Sequence, residues 1–312
     1  MDDDGVFVYM GGNQRVPRNV THVRIHKSVK IITRRAFMHC QYLESIEMHN
    51  GVEIIEDQAF YNCISLRGIK LLGVRDIEFG AFNNCIALVD VKFGDKLDRI
   101  GEGAFENCNS LSNIKIPKVR VLGIDAFFDC DELKHVELSE DLVRIGRRAI
   151  SNCPLLRRIA IPLKYDLFNA NEEDMFDDCP NLFQIDPIGG IRQTISSLLL
   201  KSWTSEMIDE IDRINRELPY TDPDYKTALI QQWIVTVLER MEHYKSEHYA
   251  LLKNNMTQLE LALWKVNLPN VDAATSSRHE ARVTCGANII IPHVLSFLND
   301  EEEFPTVRDN PL

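Results

Sequence analysis

The stretch "AFYNCISL" at residues 59–66 returns as "AFNNCIAL" at 81–88 and as "AFENCNSL" at 104–111. Each copy keeps Ala-Phe, two variable residues, Cys and then a Leu at fixed offsets. Seven of the eight cysteines follow this pattern, with intervals of 23, 22, 23, 22, 23 and 26 residues: Cys40, Cys63, Cys85, Cys108, Cys130, Cys153 and Cys179. A period near 22 residues is typical of a solenoid, in which each repeat is one coil that stacks on the next.

The residues after each cysteine alternate between apolar and polar, as in a half-buried strand. In "LSNIKI" (111–116), Ile114 and Ile116 would face inward, because successive strand side chains point to opposite faces. A β-branched residue stands at the first inward position of every coil: Val23, Ile46, Ile69, Val91, Ile114, Val136, Ile159 and Ile185. The sequence therefore predicts about eight coils with parallel strands.

The Phe and Cys of each coil are predicted to occupy equivalent positions in one continuous core. Free cysteine is among the most buried residue types and behaves as a small hydrophobe. Zinc sites usually contain pairs such as CxxC, which this sequence lacks. A disulfide needs a Cβ–Cβ distance of about 3.8 Å, whereas stacked strands lie about 4.8 Å apart. We therefore interpret the cysteine row as core rather than as metal ligands or disulfides, and we assign no role to Cys285.

The coils resemble the BspA-like leucine-rich repeat family. The resemblance rests on "LSNIKIPKVRVLGIDAFFDC" (111–130) and on Ala-Phe-x-x-Cys, which occurs intact five times. The chain departs from the consensus at Ile150 and at 163–176, which we interpret as an irregular last coil or cap. Both ends of the chain are similar to large microalgal leucine-rich repeat families. The resemblance implies a right-handed β/α solenoid with a recognition or scaffolding role, and some relatives are cell-surface proteins.

The predicted fold class is α+β: a leucine-rich repeat solenoid of parallel-strand coils followed by an α-helical domain. We expect a cap segment at 1–19, the solenoid at 20–190, the helical domain at 191–298 and an acidic disordered tail at 299–312.

Three helices and a further short segment are predicted in the helical domain. The first covers 205–218, starts at Thr204 or Ser205 and is stopped by Pro219. The second starts at Asp222 as N-cap and continues for about 30 residues. "TQLE" (257–260) has the pattern of a capping box and predicts the start of a third. The short segment is a buried helix within 285–298 or, because Pro292 interrupts it, a strand at 288–291. The favoured interpretation is a structural one, in which the helical domain has its own core and also covers the open end of the solenoid. The alternative is a docking or oligomerisation module.

One row of outward-facing side chains follows the predicted strands: Arg24, Glu47, Lys70, Lys92, Lys115 and Glu137. The fold does not require three lysines on neighbouring strands, because like charges directly opposite are destabilising. The row can be a solvated polar face relieved by Asp90 and Glu137, or a positive stripe that binds an acidic peptide. We favour the solvated face, since exposed ion pairs contribute only about 0–1 kcal/mol, and carry these six residues as candidate partner-binding residues.

Composition and motifs narrow the classes of function. The net charge is −12, whereas nucleic-acid binding needs a positive surface. The sequence contains no phosphate-binding glycine motif, GxSxG or HExxH. We therefore assign no catalytic residue, metal or cofactor and predict that the chain is not an enzyme. The N-terminus "MDDDGVFVYMGG" lacks the pattern of a signal peptide, and no apolar stretch reaches the roughly 20 residues of a spanning helix. An intracellular, cytoplasmic protein without membrane contact is expected.

The first functional hypothesis is a non-catalytic module that binds a protein or peptide, with an acidic partner suggested by the lysines. The alternative is a structural or assembly protein that self-associates through its helical region. The sequence leaves the partner, the pathway and the oligomeric state open.

Overall fold

The repeat folds into coils whose strands form a front and a back. The structure is a computed structural model, and it describes residues 6–167, 174–188 and 201–267. The front strands are β1 (Phe7–Tyr9), β2 (His22–Ile25), β4 (Ser45–Glu47), β6 (Gly68–Leu71), β8 (Asp90–Phe93), β10 (Asn113–Lys115), β12 (His135–Glu137), β14 (Arg158–Pro162) and β15 (Gln184–Ile188). The back strands are β3 (Ile31–Ile32), β5 (Ile54–Ile55), β7 (Asp76–Ile77), β9 (Arg99–Ile100), β11 (Val121–Leu122) and β13 (Arg144–Ile145).

All strand pairs are parallel, and the predicted strand of every coil is present. The predicted solenoid of parallel-strand coils followed by helices is therefore confirmed. The cap segment adds β1, which pairs with β2 and which the repeat did not predict. The return segments of the coils consist of turns and two-residue strands.

The front face is divided into two sheets, which differs from the single ladder that the repeat predicts. One sheet has the order β1-β2-β4-β6-β8 and the other β10-β12-β14-β15, while the six back strands form one sheet. Phe93 stands at the break, where neighbouring coils have Leu71 and Ile116. Its ring lies edge-on against Phe105, with the centroids 5.7 Å apart. We attribute the break to this larger side chain, because a phenyl ring needs more room than an aliphatic side chain at the same position.

The interior contains one unbroken column of stacked rings. Phe37, Phe60, Phe82, Phe105 and Phe127 follow one another at centroid distances of 5.0 to 5.2 Å, with interplanar angles from 0° to 7°. All five rings are fully buried. Each coil thus covers the ring of the coil before it, which explains why a single 22-residue coil would be unstable alone.

The predicted burial of the cysteines is confirmed: the seven repeat cysteines are free and buried. Six of them also donate a hydrogen bond from Sγ to a carbonyl of the preceding coil, at 3.1 to 3.4 Å: Cys63, Cys85, Cys108, Cys130, Cys153 and Cys179. The acceptor is the Phe of that coil, or Ile150 for Cys179. The cysteine therefore also links neighbouring coils, a role that a purely apolar residue of similar size could not fill.

Two helices follow the solenoid: α1 (Lys201–Glu217) and α2 (Lys226–Asn267). Helix α1 begins before the predicted cap, so neither Thr204 nor Ser205 marks its start. Met207, Ile214 and Leu218 are buried, whereas Ile208 is exposed.

The predicted capping residue before the long helix is confirmed. The Asp222 side chain accepts a hydrogen bond from the Asp224 amide at 3.2 Å, and a short 3-10 turn, Pro223–Tyr225, leads into α2. Helix α2 continues for 42 residues without interruption. The prediction of a third helix starting at 257 is therefore wrong. The hydroxyl of Thr257 donates to the Lys253 carbonyl one turn earlier, as it does inside a helix, instead of capping a new one.

The helical region covers the last coil and forms hydrogen bonds like those that a further coil would form. In most coils the Phe amide donates to the Ala carbonyl of the next coil, as Phe105 does to Ala126 at 2.8 Å. At the last coil the Phe176 amide donates instead to the Thr227 hydroxyl, at 2.9 Å. The Asn215 side chain accepts from the Ile185 amide and donates to its carbonyl, as a neighbouring strand would. The amide of Phe176 and both backbone groups of Ile185 thus find partners in the helical region.

A buried lysine completes this cover. The ammonium of Lys226 donates to the carbonyls of Cys179, Pro180 and Leu182 at 2.8 to 3.0 Å, and the residue has no exposed surface. Burial lowers the pKa of Lys226.

The chain divides into two units, Met1–Glu239 and Arg240–Leu312. The first contains the solenoid, α1 and the first part of α2, and the second contains the remainder of α2. The predicted short helix within 285–298, the acidic tail and Cys285 lie outside the described residues. No helix in the described part of the chain combines the length and apolarity that crossing a membrane requires.

Candidate functional site

The candidate partner-binding residues all lie on the front face. Glu47, Lys70, Lys92, Lys115 and Glu137 are exposed, and Arg24 is half-buried. The strand register places Arg24 opposite Glu47, Lys70 opposite Lys92, and Lys115 opposite Glu137. The break between β8 and β10 separates Lys92 from Lys115, so the three lysines do not form one continuous row.

Most charges of this row are paired. Arg24 contacts Glu47 and Lys115 contacts Glu137, each with a nitrogen–oxygen distance of 2.7 Å. Lys92 lies 3.9 Å from Asp90 on its own strand. Lys70 forms no ion pair with any residue of the described ranges and lies directly opposite a like charge. The solvated-face interpretation expects such pairs, because they reduce the repulsion between like charges along the row. Lys70 and Lys92 remain the least neutralised side chains of the row.

A concavity of about 770 Å³ lies over β8, β10, β12 and β14. It brings together three of the six candidate residues, Lys92, Lys115 and Glu137, and leaves the other three outside. Asp90, Asp95 and Arg158 also line it. Arg158 is paired with Asp186 of the next strand. Three cations therefore face three carboxylates in the lining, so the concavity has no net charge.

The concavity also has an apolar part, at the break between the two front sheets. Val91 and Phe93 are only half-buried, although the equivalent Ile69, Leu71, Ile114 and Ile116 are buried. Leu72, which follows β6, is 42% exposed and contributes to the same wall. Pro117 and Ala160 line the concavity as well. The site thus offers a partner both apolar contact and charged hydrogen-bonding groups.

Sequence reasoning found the charged row but missed this apolar wall. The one available signal was Phe93, a large ring in a position where the other coils have aliphatic residues. The exposure of Leu72 and Val91 had no signal, because it depends on the sheet break and not on the residues themselves.

The cysteine row lacks the chemistry of a reactive site. Burial raises the pKa of the Cys40 thiol to about 11 and those of Cys85 and Cys130 to about 12. Burial also raises the pKa of Cys63 and Cys108 well above the usual range. The thiolate is the nucleophile and metal ligand, and a raised pKa keeps these thiols in the protonated form at neutral pH. Within residues 6–167, 174–188 and 201–267, no group of three His, Cys, Asp or Glu side chains could hold a metal ion.

Comparison with known proteins gives one family match. The model of the BspA type leucine rich repeat region matches the chain in six copies, over residues 16–120, 70–183 and 110–208. No curated protein matches the chain.

Several solved structures are similar to the chain. A leucine rich repeat protein of T. pallidum is 26% identical over 48% of this chain and 78% of its own, with a TM-score of 0.39. A leucine rich cell surface protein of Faecalibacterium prausnitzii is 24% identical over 56% of this chain and 61% of its own, with a TM-score of 0.38. A leucine-rich repeat protein of Bacteroides ovatus is 23% identical over 55% of this chain and 56% of its own, with a TM-score of 0.40.

Proposed function

Because the chain belongs to the BspA-type leucine-rich repeat family, we propose that it is a non-catalytic interaction module that binds a segment of a partner protein. The leucine-rich repeat solenoid is a fold typical of protein-interaction modules. The proposed site is the concavity over β8, β10, β12 and β14. The observation that carries the proposal is that charged and apolar side chains from four strands face one open space.

The solenoid supports binding at this face because it holds the side chains in place beforehand. The front strands rest on the column of stacked rings, and Phe93 itself lies against Phe105 of that column. A surface that is ordered before association loses less conformational entropy on binding. The main cost is then the ordering of the partner.

The chemistry of the concavity suggests the partner. Leu72, Val91 and Phe93 suit an apolar anchor residue, since they are exposed or only half-buried without a partner. Lys92 suits an acidic residue beside that anchor, because it lies 3.9 Å from its own carboxylate neighbour and a closer carboxylate would form a stronger pair. We therefore propose an extended segment with a hydrophobic residue flanked by an acidic one.

Site-specific cross-linking tests the location. A photo-reactive residue placed at position 92 or 115 is exposed to an extract of the source cells, and the products are identified by mass spectrometry. The matched controls carry the same residue at the exposed positions Lys27 and Lys30, outside the concavity. We expect the same protein to be cross-linked from 92 and 115 and not from 27 or 30. Equal capture from all four positions would contradict the proposal.

The captured partner then allows a quantitative test. The substitution pair Lys92→Glu and Phe93→Ala should weaken its binding by at least about tenfold, because both an anchor contact and a charge pair are removed. The pair Lys27→Glu and Lys30→Glu should leave the Kd unchanged within a factor of about two.

A second candidate function, self-association through the helical region, rests on a separate observation. On α2, Leu259 is 65% and Leu261 is 52% exposed. Positions two residues apart lie about 200° apart around a helix, so the two leucines belong to different faces of α2, and a second copy could cover either face. Light scattering on the full chain should then show an oligomer that the pair Leu259→Glu and Leu261→Glu dissociates. A monomeric wild-type protein would remove this candidate.

A further inference from the structure

A second cavity, of about 730 Å³, lies at the N-terminal end of the solenoid and contains a concentration of arginines. The turn after β1 and the return segment of the first coil form its walls. Arg15, Arg18, Arg34 and Arg35 line it, and Glu56 is the one acidic residue in the lining. We call this cavity the arginine cleft.

The cleft has an excess of positive charge in a chain whose net charge is −12. Arg34 lies 3.8 Å from Asp57, and its amide donates to Glu56. Arg35 donates from Nε to the neutral Gln58 amide at 2.8 Å. Four cations therefore meet two carboxylates, Glu56 and Asp57. Arg15 and Arg18 form no hydrogen bond or ion pair with the described part of the chain, so their five N–H donors each are available to a ligand.

The walls of the cleft are fixed before any ligand binds. Gly11 and Gly12 have φ of +87° and +59°, which lets the chain turn sharply after β1. The Thr33 hydroxyl donates to the Gly12 carbonyl at 3.0 Å, and the Gln14 side chain donates to the Val8 carbonyl at 3.2 Å. These bonds tie the turn to β1 and to the first coil, so the arginines project from an anchored backbone.

We propose that the arginine cleft binds the phosphate or sulfate group of a small, multiply charged anion. A guanidinium presents its donors in a planar fork that matches the oxygens of a phosphate or sulfate, and such charge-assisted bonds are roughly twice as strong as neutral ones. Several guanidiniums around one open cavity suit an anion with more than one negative charge. The binding is independent of the proposed protein-binding face, whose concavity shares no lining residue with the cleft.

Calorimetric titration of the full chain with inorganic pyrophosphate at low ionic strength tests the proposal. We expect saturable binding at one site, weakened by added salt. The pair Arg15→Gln and Arg18→Gln should weaken binding by at least about tenfold, because two charge-assisted contacts are lost. The control pair Arg99→Gln and Arg157→Gln makes the same charge change at exposed arginines outside the cleft and should bind as the wild type does.

Three results would overturn the proposal: no saturable binding by the wild type, full binding by the Arg15/Arg18 variant, or an equal loss in the control variant. Thermal melting checks that both variants are folded. We expect that they are, because the four substituted arginines, Arg15, Arg18, Arg99 and Arg157, are exposed. The pair Arg15→Lys and Arg18→Lys gives a second readout. It keeps the charge but loses the fork, and we expect affinity between those of the wild type and the glutamine variant.

Two further titrations distinguish the source of the group. Glycerol 3-phosphate tests an organic ester, and sulfate tests the free inorganic anion. Tighter binding of the ester supports the cleft as a site for an organic phosphate, and tighter binding of the inorganic anions supports it as a site for the free ion.

Discussion

The interior rows and the front row of the solenoid each contain one residue per coil, but they differ in how much the residue type varies from coil to coil. Inside, Phe returns at positions 37, 60, 82, 105, 127 and 176, and Ile150 is the exception among the seven repeats that contain a cysteine. On the front, the equivalent position changes from Arg24 to Glu47 to Lys70, and each of these residues lies within a parallel strand.

This contrast separates what the fold requires from what it leaves open. A buried side chain that contacts its counterparts in the neighbouring coils must stay apolar and close in size, as Ile150 does in the row of phenylalanines. A front side chain contacts solvent and its neighbours only loosely, so its identity is available for recognition. The predictions below test this separation, from the largest expected effect to the smallest.

Truncating one ring of the column should have the largest effect. Phe105 lies between Phe82 and Phe127, at 5.0 and 5.2 Å. We expect Phe105→Ala to lower the free energy of unfolding by about 3–5 kcal/mol, because it removes a buried ring and leaves a cavity. Urea denaturation followed by circular dichroism measures the change. A loss below about 1 kcal/mol would mean that the coils do not depend on the column.

The cover at the last coil should be nearly as sensitive. Lys226→Met keeps the length of the apolar stem but leaves the carbonyls of Cys179, Pro180 and Leu182 without their shared donor. We expect a loss of about 2–3 kcal/mol in the same denaturation experiment. The exposed Lys253 serves as the matched control, and Lys253→Met should change little. Equal stability of the two variants would show that the cover contributes nothing.

The hydrogen bonds between coils should contribute less. Cys108→Ala removes the bond from Sγ to the Phe82 carbonyl, at 3.3 Å, together with a small buried volume. We expect a loss of about 1–2 kcal/mol. If the loss is the same as that of an exposed substitution, the thiol row is incidental to the fold.

The front face should be the least sensitive to change. Lys115→Ala breaks the ion pair with Glu137, but both side chains are exposed. The free energy of unfolding should change by no more than about 0.5 kcal/mol. A loss of stability as large as that of Cys108→Ala would contradict the claim that the fold depends on the interior rows and not on the front row.

The repeat predicted the parts of the fold that depend on one coil resembling the next. The eight inward β-branched residues indicated the strands, and Phe and Cys indicated the core, because burial favours apolar residues of similar size at equivalent positions of successive coils. The Asp222 cap could also be predicted from the sequence, since it depends on adjacent residues alone.

What the sequence did not reveal arises between elements that are far apart in the chain. The break beside Phe93 depends on how one coil seats on the next, and the apolar wall of the concavity exists only because of it. The cover at Lys226 and Thr227 joins side chains to backbone groups more than 40 residues away. The arginine cleft likewise assembles Arg15 and Arg18 with Arg34 and Arg35 from separate segments. The continuity of α2 through "TQLE" shows that a capping pattern does not start a helix inside one that is already formed.

Alkylation of individual cysteines in the native protein tests the central claim most directly, namely that the coils share one sealed interior. After brief treatment with iodoacetamide at pH 8, peptide mapping by mass spectrometry gives the modified fraction of each cysteine. We predict that Cys63, Cys85, Cys108, Cys130 and Cys153 remain unmodified until the chain is unfolded in urea, because their buried positions exclude the reagent and the pKa of each thiol is raised. Burial is the main cause for the first four, whereas for Cys153 it adds to the hydrogen bond with Cys179. Rapid modification of these cysteines in the folded protein would contradict the account.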